Sequence, residues 1–188
     1  MSAVFTPTRY KLSVDYYHKL GEAGVLTEES RVELIEGELI EMAPIGSRHA
    51  AAVSCLHELL HEQCRGTALV WQQNPIVLRP RSEPQPDPAL LKHRADHYAG
   101  ALPGASDVLL VIAVSDTSLE YDRGEKLRLY AAHGIPEYWV VDAQAERIEV
   151  YCDPDANNYA RKLDTGVDET ISPRALPQVK VQVGKVFG

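Results

Sequence analysis

The 188-residue sequence predicts an α/β domain in which a mixed β-sheet is flanked by helices, and three features carry that prediction. Residues 108–114 form an unbroken apolar run, the mark of a strand buried on both faces at the centre of a sheet. Residues 47–65 place Val53, Leu56, Leu60 and Cys64 on one helical stripe, closed by Gly66. A helix over 123–133, stopped by Gly134, separates the first buried strand from a second at 138–141, which is the pattern of a crossover.

The remaining elements follow from local chemistry. Ser13 is positioned to cap a short helix through residue 23, with Val14, Tyr17 and Leu20 at helical spacing and Gly24 ending it. The runs 32–35 and 38–42 read as a hairpin joined by Glu36 and Gly37. Strands are predicted at 68–71, 76–78 and 89–91, the last entered through Pro84-Gln85-Pro86-Asp87-Pro88, whose prolines make the segment around Asp87 extended. Residues 115–122 read as a loop before the crossover helix. A strand at 148–151, a turn at Asp153-Pro154 and weaker strands toward 179–183 complete the series. No Gly/Ser linker or repeat divides the chain, so one domain over 1–188 is expected.

Composition excludes several classes. Cys55, Cys64 and Cys152 show no CxxC spacing. The first two lie nine residues apart on one helix, roughly 13 Å along its axis and beyond the roughly 7 Å reach of a disulfide. Small buried thiols in a reducing, cytoplasmic setting are expected. No basic leader and no apolar window of membrane-spanning length is present, so no membrane association is expected. The net charge of -8 opposes tight nonspecific binding to a polyanion. A nucleic-acid role therefore needs a local basic surface, for which Arg79, Arg81, Lys92, Arg94, Arg123, Lys126 and Arg128 are the candidates, against an acid-rich stretch over 22–41.

The most informative group is Glu33, Asp87 and Lys126, each at the edge of a predicted element, with Ala113 on the central strand. Phosphodiester hydrolysis with a hard cation asks for two or three carboxylates and a lysine converging at strand ends: the acids hold the ion, and the lysine steadies developing charge. The runs Val32-Glu33-Leu34-Ile35-Glu36-Gly37-Glu38, His49 opening the long helix, Pro86-Asp87, Leu110-Val111-Ile112-Ala113-Val114-Ser115, Lys126-Leu127-Arg128-Leu129-Tyr130-Ala131 and Gly134-Ile135-Pro136-Glu137-Tyr138-Trp139 resemble the Uma-two family of putative restriction endonucleases. The resemblance is strongest over 31–142.

It implies a restriction-endonuclease-like fold with a PD-(D/E)XK core acting on DNA, and a catalytic set of Asp87 as the metal-binding aspartate, Glu33 as an auxiliary metal-binding acid, and Lys126 as the lysine on the following helix. Mg²⁺ or Mn²⁺ is the implied cofactor, and a homodimer is the implied assembly, since two strands need two centres. The chain departs from the family at Ala113, where a glutamate is usual. A methyl group cannot coordinate a cation, so metal binding and hydrolysis are expected to be impaired unless Glu33, Asp116 or Glu125 fills the gap. A catalytically inactive binding or scaffolding protein on the same fold is the alternative.

Plainer readings exist for each residue. Asp87 fits an ordinary turn acid between prolines, and Glu33 a solvent-facing hairpin residue. Lys126 lies four residues after Asp122, the spacing of a surface helical ion pair. His49 fits equally a residue that orients a phosphate near the site and a helix-start histidine bonded to backbone, and Tyr130, Tyr138 and Trp139 fit core aromatics. A competing motif, His57-Glu58-Leu59-Leu60-His61, has the HExxH form of a zinc metallopeptidase. Its extension fails, because Cys64 and Thr67 stand where a glycine and a third histidine belong, and Glu83, the remaining ligand candidate, lies in a proline-rich loop.

Overall fold

The Ser13 side chain accepts a hydrogen bond from the Tyr16 amide at 3.2 Å and so begins helix α1, Val14–Glu22. This is the first regular element of the computed structural model, which describes residues 8–188. Strands β1 (Val32–Ile35) and β2 (Glu38–Glu41) pair antiparallel around Glu36 and Gly37. Both turn residues have positive φ, +48° and +82°, as a two-residue hairpin turn requires. A side chain at 37 would also strike Lys11 Cβ at 2.7 Å, so only glycine fits there.

Helix α2 (Ser47–Cys64) buries Val53, Leu56, Leu60 and Cys64, the stripe predicted from spacing. Six strands then build the main sheet in the order β3 (Ala68–Gln72), β4 (Pro88–Lys92), β5 (Val108–Ser115), β6 (Glu137–Asp142), β7 (Arg147–Asp155) and β8 (Asn158–Thr165). Only β5 and β6 run parallel, because the crossover lies between them; every other neighbouring pair is antiparallel. The crossover comprises α3 (Leu119–Tyr121), a π-helical turn over Asp122–Lys126 and α4 (Leu127–Ala132). A short pair, β9 (Thr170–Ile171) with β10 (Val181–Gln182), precedes a closing 3-10 turn over Val183–Val186.

The sheet separates two apolar layers. On β5, Leu110, Ile112 and Val114 join the core under α2, whereas Val111 and Ala113 join the core under α4. Each fully buried aliphatic side chain here contributes roughly 1.5–3 kcal/mol. Trp139 lies in the first layer, Tyr130 and Tyr138 in the second, so all three are core aromatics. The three cysteines are free thiols.

Four boundaries differ from the sequence reading. The crossover helix begins at Leu119 rather than 123, so much of the expected 115–122 loop is helical. Residues 76–78 are not a strand of the main sheet: Val77 and Leu78 make isolated bridges to Gly104 and Ser82. The expected turn at Asp153-Pro154 lies inside β7, with Asp153 at φ +60° and Pro154 opposite Tyr159. Strand β8 was not foreseen, because it is a solvent-facing edge strand that carries little apolar alternation. Among the described residues no helix is long and apolar enough to cross a membrane.

Candidate active site

Strand β4 is entered from the proline-flanked segment, and its pairing with β5 sets the site. Ala89 lies opposite Val111; continuing that antiparallel register brings Asp87 opposite Ala113 on the same sheet face. The Asp87 carboxylate is held at both oxygens. Oδ2 accepts from the Val114 amide at 2.7 Å, and Oδ1 lies 2.9 Å from His49 Nε2. His49 Nδ1 in turn meets the Val114 carbonyl at 2.9 Å. A carbonyl and a carboxylate both only accept, so this arrangement puts a proton on each ring nitrogen, and the Asp87 hydrogen bond raises the His49 pKa above its ordinary value in favour of that imidazolium.

Glu33 points inward from β1 and is buried, with 3 % of its surface exposed. Its Oε1 receives Lys126 Nζ at 3.0 Å and its Oε2 receives the Gln85 amide at 3.1 Å. Burial alone would lower the Lys126 pKa, but the Glu33 and Asp122 carboxylates outweigh it and raise the value, so the ammonium persists. The ion pair expected between Lys126 and Asp122 is replaced by this Lys126–Glu33 pair. Asp122 Oδ2 instead accepts hydroxyl bonds from Ser115 at 2.7 Å and Ser118 at 2.6 Å.

Glu33, His49, Asp87, Asp122 and Lys126 all line one cavity of about 1150 Å³ between the α1–hairpin lobe and the ends of β4 and β5. Seven carboxylates border it against two full cations, Arg31 and Lys126, so it does not present a basic surface. Of the scattered basic residues, Arg79, Arg94 and Arg123 are each paired with carboxylates. Asp116 lines the cavity and Glu125 does not.

The sequence model of the Uma-two family, described as "Putative restriction endonuclease", matches residues 14–184. The chain belongs to that family. A solved structure described as a putative nuclease from Anabaena variabilis superposes with a TM-score of 0.76 at 15% identity, covering 94% of this chain and 97% of that one. At that identity the likeness speaks for the fold, and it meets the expectation of a nuclease-type mixed sheet flanked by helices. No curated protein matches the sequence.

Within the Uma-two frame, Asp87, Glu33 and Lys126 stand in one cavity, and the residue at 113 is a buried alanine packed in the α4 core. The donors present do not by themselves fit a hard divalent ion. All four oxygens of Asp87 and Glu33 already accept bonds. Among the described residues no group of three or more His, Cys, Asp or Glu side chains is arranged to hold a metal.

The HExxH histidines stack on α2 with ring centroids 5.5 Å apart. Glu83, the candidate third zinc ligand, is bonded instead to His18 at 2.6 Å. Two cavity residues escaped the sequence reading. Asp122 was seen only as a helical ion-pair partner, although its spacing to Lys126 was the available signal. Tyr121 carries no motif; its hydroxyl is buried with no hydrogen-bond partner.

Proposed function

We propose that this Uma-two chain is a DNA endonuclease relative whose hydrolytic centre, built from Asp87, Glu33 and Lys126, is impaired by the alanine at position 113. The observation that carries the reading is the placement of Asp87 beside Ala113 at the paired ends of β4 and β5, with Lys126 across the same cavity. The acid that would share an ion with Asp87 is replaced by a methyl group. What this chain's own residues still do is hold the Asp87 carboxylate in one orientation and keep a buried ammonium in the cavity, ready to meet phosphate charge.

The acidic lining argues the same way, since a polyanion entering between seven carboxylates meets only Arg31 and Lys126 as full cations in that lining. Mg²⁺ or Mn²⁺ belongs to the complete form of this site, not to the alanine form. A homodimer and a reducing, cytoplasmic setting belong to the same reading, the first because a duplex has two strands and the second because the cysteines are free. The alternative, a binding or scaffolding protein without turnover, is favoured by the same alanine.

Nicking of supercoiled plasmid in Mn²⁺ separates the two. Ala113→Glu is expected to nick at least on the order of a hundredfold faster than the unaltered chain, and adding Asp87→Ala is expected to abolish the gain. An inert Ala113→Glu protein supports the scaffold reading. Nicking by the unaltered chain at the rate of the glutamate variant refutes the impairment.

A further inference from the structure

The His49 imidazole sits in a closed ring of hydrogen bonds. Nδ1 donates to the Val114 carbonyl, Nε2 meets Asp87 Oδ1, and Asp87 Oδ2 accepts from the amide of the same Val114. Three elements meet at this ring: the first turn of α2, the residue before β4 and the end of β5. The carboxylate cannot turn about its own axis without breaking two of these bonds. Both side chains are more than four-fifths buried, so water does not readily replace them.

We propose that His49 is the positioning residue of the nuclease centre: it fixes the orientation of the Asp87 carboxylate through one of its oxygens and takes no part in the bond-breaking itself. The inference rests on the reading of Asp87 given above and adds a residue to that site. A histidine that served only to staple α2 to the sheet would need its Val114 bond alone. The second bond ties α2 also to the residue before β4, and because it reaches one oxygen of an acid whose other oxygen is held by the Val114 amide, it fixes a carboxylate plane as well.

The test has two arms. In proton NMR of the unaltered chain, a hydrogen-bonded imidazole N–H resonance is expected, lost in His49→Gln and displaced in Asp87→Asn; this arm does not depend on any activity. In the Ala113→Glu background, His49→Ala is expected to lower kcat by about 10–100-fold with KM little changed. His49→Gln, which keeps one donor, should recover part of the loss. An absent resonance overturns the positioning bond. A resonance that is present while His49→Ala cuts at an undiminished kcat, or raises KM alone, overturns the role in the reaction. An inert Ala113→Glu parent with the resonance intact sinks the nuclease reading, and the catalytic role of His49 with it, while leaving the bond standing.

Discussion

Lys126 shows how a single side chain can be read correctly for type and wrongly for partner. Its four-residue spacing from Asp122 suggests an exposed helical pair worth about 0.3–0.5 kcal/mol. The structure instead buries its ammonium against Glu33, 52 residues beyond which lies Gln85, whose amide holds the other Glu33 oxygen. Removing one member of a buried pair leaves the other charged and unsolvated, at a cost of about 3–5 kcal/mol. Lys126→Met is therefore expected to lower the melting temperature sharply, and Lys126→Met with Glu33→Gln to recover much of the loss. Equal melting temperatures for Lys126→Met and the unaltered chain would show the pair to be absent in solution. The identities of Glu33, Asp87 and Lys126 were legible because short motifs carry them. A backbone bond at His49 was foreseen; its bond to Asp87 and the hydroxyl bonds of Asp122 were not, because they depend on a strand register and a helical phase set by distant residues.

At the scale of elements, the π-helical turn explains that phase. Leu127 N–H bonds to the Asp122 carbonyl five residues back, and the same carbonyl also accepts from the Tyr138 hydroxyl at 3.2 Å. No composition signal marks such a turn, so the helix was expected to start four residues late. Strand β8 was missed for the opposite reason: as an edge strand it exposes most of its side chains, and it carries neither an apolar run nor a clear apolar alternation.

Strands β7 and β8 are joined at Glu149, of which 2 % is exposed. Burial alone would raise its pKa, but hydrogen bonds from Arg123, Tyr151 and Lys162 outweigh it and hold the carboxyl at about 2, below the ordinary 4.5. A depressed folded-state pKa stabilises fully above the ordinary value and is lost as pH falls from about 4.5 toward 2. Thermal melts across that window are expected to drop more steeply for the unaltered chain than for Glu149→Gln. Parallel pH profiles for the two proteins would remove Glu149 from the account. Each melt is expected as one transition if residues 1–188 act as the single domain proposed from the sequence, of which 1–7 lie outside the described residues.

For the whole molecule, the class of fold was legible because β5 and the α2 stripe are strongly patterned, and both apolar layers share β5. The charge distribution was legible only as a sum. The net charge of -8 states a difficulty for DNA binding, and folding sharpens it by gathering seven carboxylates around one cavity while pairing off several of the basic residues. The proposed reading, a cation site that lacks one acid, would reconcile that acidic cavity with membership of a nuclease family.

The thermal stability of Ala113→Glu, with and without Mn²⁺, tests this most directly. A second buried carboxylate beside Asp87 is expected to lower the melting temperature in chelator. Mn²⁺ is expected to restore it by several degrees, about 2–4 °C per kcal/mol of binding for a chain of this size, whereas the unaltered chain and Ala113→Glu with Asp87→Ala should not respond. An equal Mn²⁺ response from the unaltered chain, or none from Ala113→Glu, would contradict the claim that position 113 is where the site lost its acid.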